Sequence, residues 1–198
     1  MLPSARAIDV ARRWSFKDDD YAVVTLHRPS NVDEREPLGE IFDALEMAAG
    51  AMPVVFPIHP RTRQKAEEFG LLGKLERLTV VEPLGYLEML SLLDRAAVVI
   101  SDSGGVQEET TALGVPCLTL REQTERPVTV TEGTNRLVPW PLTKEGVFNA
   151  FREARAEGRA LPRSKCPAGW DGHAAERIVQ ALEAHASSTR RQTLDGTM

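Results

Sequence analysis

The sequence predicts an α/β fold with a doubly wound parallel sheet, and three observations lead to this prediction. Short runs rich in valine, isoleucine and leucine recur along the 198 residues, and amphipathic segments separate them. The composition, 42% hydrophobic and 27% charged, is that of a globular protein. Strands that alternate with single helices form right-handed crossovers and therefore lie parallel in one sheet. We expect a single Rossmann-like domain over residues 1–186, followed by a disordered tail over residues 187–198.

Six apolar runs are predicted to be the strands of this sheet. They are continuous in branched apolar residues rather than alternating with polar ones, which indicates that helices cover both faces. In chain order the predicted strands are Tyr21–Leu26, Pro53–Ile58, Leu78–Val81, Ala97–Ile100, Cys117–Leu120 and Arg136–Val138.

Helices are predicted between and around these strands. Leu38–Leu45 and Tyr86–Leu93 each place apolar residues at i, i+3, i+4 and i+7, the spacing of one buried helix face. A third helix follows the fourth strand, and Gly114 with Pro116 marks its end. Further helices are predicted over the segments Ser4–Trp14, Thr143–Glu157 and Gly172–Ala186.

Charge and composition disfavour several classes of partner. The formal net charge of −5 argues against nucleic acid or an anionic membrane as the main partner. The two cysteines, Cys117 and Cys166, form no disulfide framework, and no apolar run has the length of a membrane span. We therefore expect a cytoplasmic protein without a signal peptide. The sequence shows no metal-ligand cluster, P-loop or dinucleotide motif, so we expect no metal and no cofactor.

Polar residues are concentrated directly after the predicted strands. They occur in the loops His27–Asp33, His59–Thr62, Glu82–Tyr86, Ser101–Gly105 and Arg121–Pro127. In an open α/β sheet, ligands bind at the loops that follow the carboxyl ends of the strands. Because these five loops share that edge of the sheet, we expect them to form one site.

The glycine-rich turn after the fourth strand predicts a nucleotide site. Ser103 can cap the following helix, while the amides of Gly104 and Gly105 can approach a diphosphate without side-chain obstruction. Glu109, about a turn and a half further on, suits the two hydroxyls of a ribose. Glu108 points roughly 100° away and is interpreted as structural. The alternative is an ordinary helix cap whose acidic residues favour the helix dipole.

The motifs of these loops resemble one known family. "LHRPSNVD", "PIHPRT", "EPLGYLEML", "SDSGGVQEE" and "LGVPCLTLREQTERPVTVTEGTNRLV" occur in the order and spacing of the non-hydrolysing UDP-N-acetylglucosamine 2-epimerases. The match runs from about Ser4 to about Ala184 and corresponds to the C-terminal half of those enzymes. That half is similar to the C-terminal domain of the B-type glycosyltransferase fold. The N-terminal half, which carries the catalytic acidic residues of the family, has no counterpart in the match.

The resemblance implies a chemistry and a set of binding residues. Family members eliminate UDP from the sugar to give a 2-acetamidoglucal, and then add it back with inversion at C2. By resemblance, the Ser103–Gly104–Gly105 turn holds the diphosphate and Glu109 the ribose. Arg126 holds a phosphate or the adjoining sugar, because its planar fork can engage two oxygens. Leu84 and Met89 flank the uracil.

The resemblance also assigns roles to three basic residues near the first two strands. His27 is the predicted catalytic residue of this half, since an imidazole beside a diphosphate can be cationic or transfer a proton at neutral pH. Arg28 and His59 match positions that help bind a second UDP-sugar as activator or substrate. As alternatives, His27 is a loop histidine that caps the first strand, Arg28 pairs with Asp33, and His59 is structural.

The prediction for function is therefore the UDP-binding C-terminal domain of a UDP-N-acetylglucosamine 2-epimerase, inactive without the N-terminal half. Its expected partners are a UDP-sugar, that missing domain and, as is common in the family, a second copy in a homodimer. Two alternatives remain open: the nucleotide-sugar domain of a B-type glycosyltransferase, and a stand-alone nucleotide-binding module. Arg121 and Glu125 are interpreted as a solvated loop pair.

Overall fold

The computed structural model describes residues 1–158 and 166–195. Two compact units can be distinguished, Met1–Lys165 and Cys166–Met198. The first unit carries the sheet and every predicted site residue. In the second, the helix α9 runs over Ala174–Asp195. The tail predicted over residues 187–198 overlaps this helix as far as Asp195, and residues 196–198 lie outside the described residues.

All six predicted strands are present, and all are parallel. Their order in the sheet is β3-β2-β1-β4-β5-β6. The chain thus builds outward from β1 to β3, crosses to β4 and builds outward again, which puts the topological switch point between β1 and β4. The strands are β1 Ala22–Thr25, β2 Val54–Pro57, β3 Thr79–Val81, β4 Val98–Ser101, β5 Cys117–Thr119 and β6 Asn135–Leu137.

Helices connect the strands and confirm most of the predicted ones. The segment Ser4–Trp14 is split, because Asp9 adopts a left-handed conformation (φ 47°) between α1 and a 3₁₀ helix, Val10–Trp14. The helices of the first unit are α1 Leu2–Ile8, α2 Pro29–Val32, α3 Arg35–Ala49, α4 Pro60–Glu68, α5 Tyr86–Asp94, α6 Gly104–Leu113, α7 Pro127–Thr131 and α8 Lys144–Glu157. A second 3₁₀ helix covers Leu72–Leu75.

Two apolar clusters cover the two faces of the sheet. Alternate residues of β1 point to opposite sides, with Ala22 and Val24 in one cluster and Val23 in the other. The first cluster includes residues of α3 and α8, which pack against each other, and the second includes residues of α1, α5 and α6. The predicted doubly wound α/β fold is confirmed. Among the described residues, no helix is long and apolar enough to cross a membrane.

Candidate functional site

The loops after β1 and β4 meet at the switch point around the carboxylate of Asp102. This side chain is fully buried. It accepts hydrogen bonds from the backbone amide of His27 (3.1 Å), from the amide of Arg28 (2.9 Å) and from Nδ2 of Asn31 (3.1 Å). Asp102 therefore joins the loop that begins with His27 to the turn that begins the glycine-rich helix α6.

The imidazole of His27 is bound to the same carboxylate. Its Nδ1 lies 3.0 Å from Oδ1 of Asp102, while 44% of the side chain is exposed. The hydrogen bond to Asp102 raises the pKa of His27 above its ordinary value, although partial burial and Arg28 act in the opposite direction. Burial alone would raise the pKa of Asp102, but the hydrogen bonds from His27 and Arg28 outweigh it and lower that pKa. The pair therefore favours a cationic imidazole, with Nε2 left to reach a ligand.

His59 lies next to His27, as the shared edge predicts. The two ring centroids are 5.9 Å apart. Nδ1 of His59 accepts a hydrogen bond from the amide of Arg61 (3.2 Å) and so caps the helix α4. The neutral form of this histidine then carries its proton on Nε2. His59 thus has a structural role, and that role leaves one ring nitrogen for another contact.

Arg28 directly follows His27 in the loop after β1. Its partner is Glu125 (Nη2 to Oε1, 3.4 Å), whereas Asp33 pairs with Arg61. The alternative in which Arg28 pairs with Asp33 is therefore wrong. Arg28 and Arg121 both line an open pocket of about 470 Å³, which His59 does not line. The structure thus places the two predicted activator residues at different parts of the edge.

The glycine-rich turn is built as the sequence predicts. Oγ of Ser103 accepts a hydrogen bond from the amide of Val106 (3.4 Å) and caps α6. Neither Gly104 nor Gly105 has a positive φ. A Cβ at Gly104 would lie 4.0 Å from Nη1 of Arg121, and one at Gly105 would lie 3.9 Å from Oγ of Ser103. Since neither backbone strain nor crowding requires glycine here, what the two glycines supply is access to the first amides of the helix.

Arg121 is buried, contrary to the expectation of a solvated loop pair. Only 5% of its side chain is exposed, because the guanidinium lies beside the turn at Gly104 rather than in solvent. Nη2 donates to Oε1 of Glu125 at 2.5 Å, and this hydrogen bond lowers the pKa of Glu125 to about 2. Nη1 is buried and has no hydrogen-bond partner among the residues that the structure describes. A buried donor without an acceptor is uncommon and marks this place as one that suits an anion.

Glu109, the predicted ribose ligand, is half-buried on α6. Burial and the neighbouring Glu108 raise its pKa, while a hydrogen bond from Tyr86 acts in the opposite direction. Tyr86 is the first residue of α5 and follows the turn that contains Leu84. Leu84 and Met89 are partly buried against the apolar cluster on that face. The structure thus brings Glu109 together with the turn that was predicted to flank the uracil.

Arg126 lies beside Glu108 on α6. Its Nε is 2.7 Å from Oε1 of Glu108, but the N–H does not point at that oxygen and makes no hydrogen bond. Both side chains are more than two-fifths exposed, so water screens this ion pair. The contact is loose enough for Arg126 to exchange it for an anionic ligand.

The buried Gln107, which the sequence analysis did not single out, connects the glycine-rich turn to the loop Arg121–Pro127. Nε2 of Gln107 donates to the carbonyl of Ser103 (3.3 Å), and Oε1 accepts from Thr124 (2.6 Å). Oγ1 of Thr124 accepts in turn from the amide of Arg126 (3.0 Å), and Nδ2 of Asn135 donates to the Gln107 carbonyl (2.8 Å). These hydrogen bonds fix the position of the Arg126 backbone relative to the glycine-rich turn.

Sequence reasoning missed Asp102, Gln107 and Arg121. Asp102 directly follows the apolar run of β4, where a carboxylate at the end of a buried strand was a usable signal. Gln107 lies next to Val106 on the buried side of α6, and a polar residue at a buried helix position was a second usable signal. For Arg121 the sequence offers no signal. Among the described residues, no group of three His, Cys, Asp or Glu side chains could hold a metal ion.

Comparison with known proteins identifies the family. The model of a family described as UDP-N-acetylglucosamine 2-epimerase matches residues 3–183, nearly the whole chain. The chain belongs to this family. The resemblance shown by the motifs is therefore confirmed.

Two sequence relatives illustrate the range of the family. The chain is 44% identical over 172 residues to a UDP-N-acetylglucosamine 2-epimerase of Methanocaldococcus jannaschii, covering 83% of this chain and 45% of that protein. It is 49% identical over 121 residues to a UDP-2,3-diacetamido-2,3-dideoxy-D-glucuronate 2-epimerase of Pseudomonas aeruginosa, covering 61% and 33%. The epimerase family therefore includes relatives named for two different sugars.

A solved structure supports the same family and shows the extent of the match. The crystal structure of the M. jannaschii UDP-GlcNAc 2-epimerase in complex with UDP-GlcNAc and UDP has a TM-score of 0.75 and 36% identity to this chain. The alignment covers 92% of this chain and 52% of that one. The chain thus spans about half the length of the 2-epimerases that it matches.

Proposed function

We propose that this chain is the UDP-binding half of a 2-epimerase that interconverts UDP-N-acetylglucosamine and UDP-N-acetylmannosamine. The observation that carries the proposal is the grouping of anion-binding groups at the β1–β4 switch point. There the imidazole of His27, the amides of Gly104 and Gly105, and the unsatisfied Nη1 of Arg121 all lie around the turn after β4. Family membership and the ligands of the M. jannaschii structure support UDP as the anion.

The ligand fits the site with its diphosphate on the turn and its nucleoside toward α5. The positive end of α6 and its first amides receive the phosphate oxygens, with Ser103 at the cap. Glu109 accepts the ribose hydroxyls, and Leu84 and Met89 contact the uracil. Arg126 contacts Glu108, the residue before Glu109 on α6, and from there it reaches a phosphate or the sugar. Arg28 and His59 are assigned to a second UDP-sugar or to the sugar end of the substrate.

In the reaction, this half stabilises the leaving group. A base removes the proton at C2, the electrons of that C–H bond form the C1=C2 double bond, and the electrons of the C1–O bond leave with UDP, so that negative charge develops on its outer phosphate. Donors fixed in advance around that charge lower the barrier without having to reorganise. Among these donors, His27 is best placed to respond to the developing negative charge, because it can be cationic or give up a proton near neutral pH. We assign the base at C2 to the half of the enzyme that this chain does not span.

The test is exchange of the C2 proton of UDP-N-acetylglucosamine with deuterated water, followed by NMR. We expect no detectable exchange with the purified chain, because both the base and the opposing wall of the cleft lie outside it. Adding the N-terminal half of a family member, fused or in trans, should restore exchange, and His27→Ala should then remove most of it. Robust exchange by the chain alone would contradict the assignment of the base. A homodimer, the remaining predicted partner, is checked by light scattering on the same sample.

A further inference from the structure

The carboxylate of Asp102 is surrounded by donors. It is contacted by the amides of His27 and Arg28, by Nδ2 of Asn31 and by Nδ1 of His27. The orientation of the Asn31 amide is fixed independently, because the same Nδ2 also donates to the carbonyl of Leu120 (2.9 Å). The two amides and Nδ2 can only donate, and the hydrogen bonds from His27 and Arg28 outweigh the effect of burial and lower the pKa of Asp102, so its carboxylate is ionised.

The charge on Asp102 decides which nitrogen of His27 carries a proton. An unprotonated Nδ1 would present a lone pair to an ionised carboxylate 3.0 Å away, which is repulsive. Nδ1 must therefore keep its proton in both the neutral and the cationic imidazole. The ring nitrogen that gains and loses a proton with pH is then Nε2, the one that the carboxylate does not contact.

We propose that Asp102 is a positioning residue for His27, which holds the Nδ1 proton inside the protein and thereby presents Nε2–H of a cationic imidazole to the diphosphate of a UDP-sugar. Asp102 itself does not contact the ligand, because its carboxylate is fully buried. The ligand in this statement rests on the proposed function, whereas the tautomer of His27 does not. Asp102 directly precedes Ser103, so one turn both receives the diphosphate and sets the charge of the histidine beside it.

The groups that face the His27 ring agree with a cation. Asp102 faces it from the β4–α6 turn and raises its pKa through the hydrogen bond, Arg28 of its own loop lowers that pKa, and His59 lies beside it from the β2–α4 turn. Because the pKa is raised on folding, the stability that the pair contributes is fully present below the unfolded value of about 6.5 and is lost as the pH rises through the folded value. Affinity for an anion should follow the same direction.

The first measurement is NMR of the histidine ring nitrogens in the unliganded chain. In the parent protein, neutral His27 should carry its proton on Nδ1, and its pKa should lie above the ordinary histidine value. Asp102→Asn should lower the pKa of His27, because the asparagine side chain carries no negative charge and its NH2 group would face N–H groups that now donate to the carboxylate. Asp94→Asn is the matched control: Asp94 is a buried carboxylate paired with Arg6, and its loss should leave the titration of His27 unchanged.

The second measurement is calorimetric binding of UDP-N-acetylglucosamine as a function of pH. This ligand is used instead of UDP because UDP has a terminal phosphate that itself titrates near pH 6. Affinity should fall by about tenfold as the pH rises through the pKa of His27, the scale of one hydrogen bond to a charged group. The fall should move to lower pH in Asp102→Asn and stay in place in Asp94→Asn.

The two measurements separate this inference from the proposed function. A neutral His27 with its proton on Nε2, seen in the parent protein, would overturn the inference even if Asp102→Asn failed to fold. An affinity that shows no fall at the pKa of His27 would overturn the role of Nε2 in binding. If UDP-N-acetylglucosamine did not bind at all while the tautomer and pKa were as expected, the proposed function would fail and the positioning of His27 by Asp102 would stand.

Discussion

The two groups of loops at the site edge differ in how they satisfy their charges. In the inner group, the loops after β1 and β4, the Asp102 carboxylate is fully buried and accepts from His27, Arg28 and Asn31. In the outer group, the loop Arg121–Pro127 after β5, the carboxylates are exposed, and two buried donors, Nη1 of Arg121 and Nε of Arg126, lack a hydrogen-bond partner among the described residues. The inner loops therefore make contacts that hold the protein itself together, whereas the outer loop keeps contacts that a ligand can use. The difference predicts that substitutions in the two groups affect different properties.

The largest effect should come from the inner group. Asp102→Ala removes the acceptor of the His27 and Arg28 amides and of Nδ1 of His27, and breaking a buried charged network typically costs about 3–5 kcal/mol of unfolding free energy. Urea denaturation at pH 7 measures it. Since the pKa of Asp102 is lowered on folding, the contribution is present above the unfolded value of about 3.9 and is lost as the pH falls through the folded value. Glu122→Ala is the outer counterpart, and no measurable loss of unfolding free energy is expected from this exposed residue; equal losses would remove the distinction between the groups.

The outer group should instead affect ligand affinity. Arg121→Met keeps a long side chain in the buried position and removes the guanidinium beside Gly104. We expect the free energy of UDP binding to weaken by about 1.5–3 kcal/mol, the scale of a charge-assisted hydrogen bond, with the free energy of unfolding little changed. Uridine, which lacks the diphosphate, should bind Arg121→Met and the parent chain alike in calorimetric titrations. If UDP and uridine lose affinity equally, Nη1 does not face the diphosphate.

A similar but smaller loss of UDP affinity is expected from substitutions on α6, the helix that joins the two groups of loops. Glu109→Gln keeps the shape of the diol acceptor but not its charge, so UDP affinity should fall by about 1.5 kcal/mol, the lower end for a hydrogen bond to a charged group. Glu108→Gln is the matched control at the neighbouring position, and it should lose less UDP-binding free energy, since Glu108 contacts Arg126 rather than the expected ribose position. Titrations with uridine are the sharper comparison, because uridine has the diol without the phosphates. Equal losses in the two variants would contradict the role of Glu109.

The sequence predicted the parts of this fold whose signal is local. Continuous apolar runs identified all six strands, and the i, i+3, i+4, i+7 spacing identified α3 and α5. The helix α4 was missed because it buries only Thr62 and Ala66, which leaves no apolar periodicity. The short helix α7 was not predicted, because its first residue, Pro127, was assigned to the preceding loop and proline also marks turns.

The site was predictable where chemistry follows a strand end, and not where it depends on tertiary contacts. His27, the glycine-rich turn and Glu109 could be placed on one edge because strands that alternate with helices lie parallel and end at the same edge. That Asp102 would be saturated by donors depends on β1 and β4 being neighbours, which the sequence does not state. The burial of Arg121 depends in the same way on the close approach of its loop to Gly104.

The measurement that tests the central claim most directly combines stability and UDP affinity in one variant, Gly105→Ala. A Cβ at this exposed position meets only Oγ of Ser103 at 3.9 Å, and φ is not positive, so the protein itself tolerates alanine. If the turn receives the diphosphate, the free energy of unfolding should be unchanged or raised by up to about 1 kcal/mol, as for a compatible glycine-to-alanine change. UDP affinity should fall by about tenfold, since the methyl group occupies space in front of the helix amides. A Gly105→Ala variant of unaltered stability that still bound UDP with the parent affinity would contradict the account.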